Sequence, residues 1–366
     1  MKIAIPKEIQ PRENRVAITP ELVKQIVKKG MECLIEQSAG LTAGFPDSEY
    51  EKAGARILQS KQELMQTADI VLKVNIPQIS EIEMMKPNAV YIGFIFHLFH
   101  PEIVESACKQ QITMFSMDAI PRISRAQKMD ALSSQSNLAG YKTVIMAGNS
   151  LGRIFPMMMT AAGTITPAKV LIMGAGVAGL QAIATAKRLG AIVEVSDIRK
   201  ETKEQVESLG ARFIEVKSDE NLATTGGYAK EVSSDFLKKQ QELISKHVAE
   251  ADIVITTALV PGKKAPILVT EDMVKSMKQG SVIVDMAVEQ GGNCPLSELN
   301  KTVQKHGVCI IGESNIPSLL PKNSSELYAK NISSFLFHIT ENNTLKIDPA
   351  DEITKGAMVV HEGKKC

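Results

Sequence analysis

The sequence contains no tryptophan, and aromatic residues make up only 4% of it. Lysine- or arginine-rich blocks beside aromatics, the pattern that grips and stacks nucleic acid, are absent. Neither sign of charge dominates. Lys and Arg number 42 against 41 Asp and Glu, a formal net charge of +1, so nothing points to an acidic partner. Cys33, Cys108, Cys294, Cys309 and Cys366 are odd in number, scattered and without metal spacing. They argue for reduced thiols in a cytosolic protein and against a disulfide framework. The most apolar windows, Ala89 to Phe99 and Ile154 to Ala162, are too short to span a bilayer. Met1 to Glu8 reads as the start of a strand and not as a signal peptide. Short-period repeats and low-complexity segments are also missing. What remains is a chain of 366 residues, 44% hydrophobic, with the apolar content for two full cores.

The stretch that organises it runs from Val170 to Arg199. Val170 to Met173 is a short apolar run, expected as a buried parallel strand. Gly174-Ala175-Gly176-Val177-Ala178-Gly179 follows as a G-x-G-x-x-G. Leu180 to Leu189 has helical patterning and is closed by Gly190. A second strand, Ile192 to Ser196, ends at Asp197. Strand, glycine turn, helix, strand and acid come in the order a dinucleotide site needs. Gly174 permits the tight turn, Gly176 lets the backbone approach a pyrophosphate, and Gly179 lets helix and strand pack closely. The helix N-terminus supplies amides and partial positive charge. Asp197 at the strand tip favours NAD, whose ribose hydroxyls it could hold; Arg199, two residues on, could instead accept a 2′-phosphate.

Before this stretch, strands and helices alternate from residue 2 to about 120. Strands are expected at Lys2–Ile5, Cys33–Glu36, Ile70–Val74, Ala89–Gly93 and Thr113–Ser116. Helices are expected at Pro20–Lys29, Asp47–Ala53, Lys61–Thr67, Ile79–Met85 and Pro101–Lys109, with Thr19 as an N-cap and Gly30 as a stop. This rhythm implies a parallel sheet covered on both faces, without a glycine fingerprint. Asp118 to Asn137 breaks it with a polar, charged segment, and Ala131 to Gly148 reads as a long helix. Later strands are expected at Leu209–Val216, Ile253–Thr256, Val282–Asp285 and Val308–Ile311, giving five or six parallel strands in the second sheet. Phe236 to Ala249 and Ser324 to Asn342 read as helices, Ser218 to Glu231 as a loop, and Gly356 to Cys366 as a loosely ordered tail. The expected class is therefore α/β, with two doubly wound parallel-sheet, Rossmann-like domains joined by long helices. The N-terminal domain is discontinuous, 1–132 plus 318–366, and the nucleotide-binding domain covers 133–317. The joining helices would serve as hinge and cleft floor.

Pro121-Arg122-Ile123-Ser124-Arg125-Ala126-Gln127 together with the Gly174–Arg199 fingerprint resembles the NAD(H)-binding component, domain I, of proton-translocating nicotinamide nucleotide transhydrogenase. The likeness covers nearly the whole chain. It includes the opening Pro6-Lys7-Glu8 and Arg12 to Ala17, shared with alanine dehydrogenase, then Thr256 to Gly262 and Gly291-Gly292-Asn293-Cys294-Pro295. By this resemblance Arg122, Gln127 and Asp130, with Ser133 beside them, handle the nicotinamide and its ribose. Ile123, Ser124, Lys128 and Met129 join them in the cofactor-binding loop. Gly174, Gly176, Val177, Ala178, Gly179, Asp197, Ile198 and Arg199 hold the rest of the nucleotide, and Gln240 and Leu259 line the adenosine side. From the residues alone, Arg122 could pair with the pyrophosphate or with Asp130, the turn could be one whose charges only satisfy each other, and Leu259 could be simple core. Gly226-Gly227-Tyr228-Ala229-Lys230 is assigned a mobile loop, with Tyr228 near the reaction; a flexible surface loop reads as well.

The resemblance implies direct hydride transfer from bound NADH to NADP⁺ held by a partner subunit. Coupling to proton movement would lie in a membrane-spanning subunit, absent here. It further implies a homodimer, no resident metal, no nucleic acid, and a cytoplasmic protein held at the cell membrane by its partners. The protein's role is orientation and exclusion of water. Alanine dehydrogenase is the strongest rival, with Arg15, Lys73 and His97 as candidates for handling pyruvate. Against those roles, Lys73 could be a surface lysine at a strand end and His97 a satisfied histidine in an apolar stretch. His97 and His100 lack a third ligand for a metal. Lys73-Val74-Asn75-Ile76-Pro77 lacks the acid that the dehydrogenase pattern places there. A non-catalytic nucleotide sensor is the third possibility.

Overall fold

The computed structural model describes residues 1–215, 234–259 and 264–366, with the backbone alone for 234–240. Its internal contacts divide the chain into two compact units, Met1–Ser136 with Pro317–Cys366, and Asn137–Ile316. The helix Ala131–Ser150 contains the first crossing between them. Among the described residues no helix is long and apolar enough to cross a membrane.

The first unit is built on strands β1 (Lys2–Ile5), β2 (Glu32–Glu36), β3 (Arg56–Leu58), β4 (Ile70–Leu72), β5 (Val90–Gly93) and β6 (Thr113–Ser116). They pair in parallel in the order β3-β2-β1-β4-β5-β6, a doubly wound sheet that reverses between β1 and β4. Alternate residues face opposite layers, as the two-residue period demands. Ile3, Ile5, Val90 and Ile92 enter one core with Tyr328 and Phe335, whereas Ala4, Val71 and Tyr91 enter the other. Both faces are covered, so the strands read as continuous apolar runs.

The second unit carries β7 (Lys169–Met173), β8 (Ile192–Ser196), β9 (Arg212–Phe213), β10 (Ile253–Thr256), β11 (Val282–Asp285), β12 (Lys301–Lys305) and β13 (Val308–Gly312). Their order is β9-β8-β7-β10-β11-β13-β12. Six run parallel, and β12 closes the edge antiparallel to β13. Val170 and Ile172 face one core, Leu171 and Met173 the other. The carboxyl ends of β7 and β10 flank the reversal point, where an open α/β sheet leaves a crevice for ligand.

The tail departs from expectation. Residues Met358–His361 form β14, antiparallel to β6, and Lys364–Lys365 form β15 beside it. Val359 and Val360 are buried, so the segment is an integral edge of the first sheet. Its final glycine and lysines hide this, because they follow the four residues that matter. Among the described residues the strand expected over Leu209–Val216 covers Arg212–Phe213, and Leu209 and Gly210 (φ +77°) instead close the helix Lys203–Ser208. β3 and β12 were not expected. Both are short or polar edges whose outward residues blur the strand pattern. Thr19 sits at the expected N-cap in extended conformation, but its side chain makes no capping hydrogen bond. The helix expected over Ser324–Asn342 is Pro321–His338. The loop expected over Ser218–Glu231 lies outside the described residues.

Candidate functional site

The glycine turn of the second unit leaves β7 at Met173. Gly174 has φ +112°, and a Cβ there would strike the Thr257 hydroxyl. A Cβ on Gly179 would collide with the Gly174 carbonyl oxygen. The turn is therefore as tight as its spacing predicts. Gly176 faces open space and begins the helix Val177–Arg188 as an N-cap with no side chain of its own to cap the first amides. Those amides and the helix dipole are left for an anion.

Asp197 stands at the tip of β8. Its carboxylate accepts from the Ala175 amide at 2.6 Å and from the Arg199 amide, Nε and Nη2 at 2.8, 3.0 and 2.9 Å. Burial pushes the Asp197 carboxyl up, but these hydrogen bonds, Arg199's first, outweigh burial and hold it below its ordinary value. The two residues that competed in the sequence are thus bound to each other, and Arg199's guanidinium is engaged by an acid. Val177, Ile198 and Leu259 follow β7, β8 and β10, adjacent strands, and all three are exposed; Ile198 reaches 89%. Leu259 is therefore not core. Ala178 is half-buried, and its carbonyl blocks any side chain at Gly140. Gly226, Gly227, Tyr228, Ala229 and Lys230 lie outside the described residues, as does the side chain of Gln240, a residue of the helix Ser234–Glu250.

The second candidate segment belongs to the first unit. Ser124–Met129 forms a short 3₁₀ turn ahead of the helix Ala131–Ser150. Ala126 and Met129 are buried beneath it, so the Met129 side chain is a core anchor. Ile123 packs partly buried against the same core. Asn331 Nδ2 donates to the Lys128 carbonyl at 2.9 Å, and Arg125 pairs with Asp351 at 2.9 Å. Asp130 accepts from the Ser133 amide and hydroxyl at 2.9 and 2.6 Å, fixing the helix start. No ion pair joins Arg122 to Asp130 among the described residues. The outcome is a turn pinned from below that exposes Arg122, Ser124, Gln127 and Lys128.

Arg15 and Lys73 belong to a third group. Lys73 is fully buried, not a surface lysine. Its ammonium lies 2.7 Å from Glu81 and 3.8 Å from Glu8. Arg15 is gripped by both oxygens of Glu13, at 2.8 and 2.6 Å, and donates to Gln135 Oε1 at 2.9 Å. Burial pushes the Glu8 carboxyl up to about 7, against the opposing pull of Lys73. His97 is half-buried, and its buried Nδ1 has no hydrogen-bond partner among the described residues. Glu81 and Glu13, which pair with these cations, are given no role by the sequence, where nothing links residue 8 to residues 73 and 81.

Residues 4–139 match the domain described as Alanine dehydrogenase/PNT, N-terminal domain, and residues 143–366 match Alanine dehydrogenase/PNT, C-terminal domain. The chain belongs to the alanine dehydrogenase/PNT family. Within this family it is 51% identical over 372 residues to a protein of Rhodospirillum rubrum named as one part of NAD(P) transhydrogenase subunit alpha, covering 99% of this chain and 97% of that one. A transhydrogenase from Sinorhizobium meliloti superposes over 100% of both chains with a TM-score of 0.90 at 44% identity. An L-alanine dehydrogenase superposes with a TM-score of 0.84 at 28% identity, covering 100% of this chain and 96% of that one. The alanine dehydrogenase/PNT fold and an oxidoreductase binding a nicotinamide nucleotide are thereby established for this chain. Within the fold, the glycine turn suits a pyrophosphate, and Asp197 suits a ribose.

Proposed function

We propose that this chain is the NAD(H)-holding component of a proton-translocating NAD(P)⁺ transhydrogenase. The observation that carries the choice of nucleotide is Asp197. It stands at the tip of β8 with its carboxylate ionised and Arg199 turned onto it. A 2′-phosphate there would meet a carboxylate, while ribose hydroxyls could replace the Arg199 side-chain donors on it. The uncapped helix start at Gly176 receives the pyrophosphate, and exposed Val177, Ile198 and Leu259 cover the adenosine. Arg122, Ser124, Gln127 and Lys128 are assigned to the nicotinamide half, with Asp130 and Ser133 fixing their turn. Bound NADH supplies a hydride from nicotinamide C4 to NADP⁺ held by a partner subunit. No side chain of this chain need move a proton in that step; its residues orient and exclude water.

Relatives named as one part of an alpha subunit support the existence of other subunits. An NADP(H)-binding subunit and a membrane-spanning proton channel complete the assembly, which holds this chain at the cytoplasmic face. A homodimer is supported by an exposed hairpin, Met158–Thr160 with Gly163–Ile165, bearing Met157, Met158, Met159 and Ile165. The alanine dehydrogenase alternative is disfavoured because Arg15 and Lys73 already hold internal carboxylates.

The test is a titration of NADH against NADPH. The wild-type protein is expected to prefer NADH by about a hundredfold, and Asp197→Ala to lose about tenfold in NADH affinity. Equal affinity for the two nucleotides, or an unaltered Asp197→Ala, would remove the assignment.

A further inference from the structure

The motif Gly291-Gly292-Asn293-Cys294-Pro295 takes no part in the nucleotide contacts assigned above. Its central residue lies in the second unit and is completely buried. Asn293 uses its whole side-chain amide on one segment. Its Nδ2 donates to the carbonyls of Ala258 at 2.9 Å and Pro266 at 2.7 Å, and its Oδ1 accepts from the Ala258 amide at 3.1 Å. Its carbonyl accepts from the amides of Leu268 and Val269 at 2.8 and 3.1 Å. One residue therefore ties together the two described ends of the connection that follows β10.

Asn293 is itself held. Asp285, buried at the end of β11, accepts from the amides of Asn293 and Cys294 at 3.1 and 3.0 Å and from the Ser297 hydroxyl at 2.7 Å. Gly292 has φ +78°, and a Cβ there would come within 2.7 Å of that carboxylate. The turn can thus only be glycine if the carboxylate is to sit where it does. One end of the tied connection is Thr257-Ala258-Leu259. Thr257 Oγ1 donates to the Gly174 carbonyl at 3.2 Å and occupies the space a Cβ on Gly174 would need. Leu259 is one of the exposed apolar side chains assigned to the adenosine.

We propose that Asn293 is a positioning residue for the nucleotide, clamping Ala258 to Pro266 and so fixing Thr257 and Leu259 beside the glycine turn. This rests on the nucleotide reading above. An aspartate would face two carbonyls with a carboxylate, and a serine could reach one of them at most, so the amide is the group the geometry demands.

The experiment compares Asn293→Ala and Asn293→Ser with Val308→Ala, a cavity variant in the core layer that also contains Cys294. Calorimetric titrations use NADH and ADP-ribose. Asn293→Ala is expected to bind both about tenfold more weakly, and Asn293→Ser about threefold, reflecting buried partners left unsatisfied. Val308→Ala should lose thermal stability but keep wild-type affinity. In hydride-transfer assays the apparent KM for NADH should rise in the Asn293 variants while kcat at saturation holds. Should Asn293→Ala not fold, Asn293→Ser carries the same comparison. Wild-type affinity for ADP-ribose in the Asn293 variants, or an equal loss in Val308→Ala, overturns the clamp alone. Failure of the wild-type protein to bind NADH overturns the nucleotide reading and the clamp with it.

Discussion

Glu8 is a carboxyl that burial pushes up to about 7, so it changes charge close to neutral pH. Lys73 and the Val74 amide oppose burial, whereas the like charges of Glu13 and Glu81 add to it. Because its folded pKa is raised from 4.5 to about 7, the native chain holds a proton in that window that the unfolded chain has released. Stability should therefore fall as pH rises between those values and level off above them. Glu8→Gln keeps the acceptor for the Val74 amide and should flatten this contribution, raising the melting temperature at pH 8 more than at pH 5. An identical pH profile in thermal unfolding would contradict it. At this scale the sequence is readable where the partners are neighbours. Gly174 and Gly179 flank one turn, and one helix and one strand lead from them to Asp197, so their spacing carries their geometry. Thr257 is bonded to Gly174 across 83 positions, and Lys73 meets Glu8 from a separate strand end. Such meetings are made by sheet order, which no local pattern encodes.

The elements divide the same way. Long helices and the strands buried on both faces are legible because apolar periodicity is strong there. Edge strands are not, since water accepts their outward residues whatever the conformation. The tail is the clearest case. Met358, Val359 and Val360 end a short apolar run that begins at Ala357, and only their seat beside β6 makes them a strand. Removing residues 358–366 should cost the first unit about 4 kcal/mol, from the burial of three apolar side chains. It should also bare the edge of β6 to association. Denaturant unfolding measures this; a truncated chain as stable as the full one would return the tail to the loose end that its composition suggests. The turn over Ser124–Met129 behaves in the opposite sense. Its polar surface was legible, but the core anchors Ala126 and Met129 beneath it were not.

For the molecule as a whole, two sheets share one winding rule, with the third, second, first, fourth and fifth strands of each in sequence across the sheet. Only the second carries a glycine fingerprint. In the first, buried Lys73 and Arg15 are paired with glutamates of their own chain. The exposed hairpin methionines predict association. Replacing Met159 and Ile165 together with glutamate should convert a homodimer to a monomer in light scattering, with nucleotide affinity retained. A wild-type chain that is monomeric at micromolar concentration would discard that surface. The most direct measurement of the central claim mixes this chain with an NADP(H)-binding transhydrogenase component and follows reduction of an NAD⁺ analogue by NADPH. The account predicts rapid transfer, slowed between about tenfold and a hundredfold by Gln127→Asn with little change in NADH affinity. No transfer in the mixture, or robust NADH production from alanine and NAD⁺ by this chain alone, would contradict it.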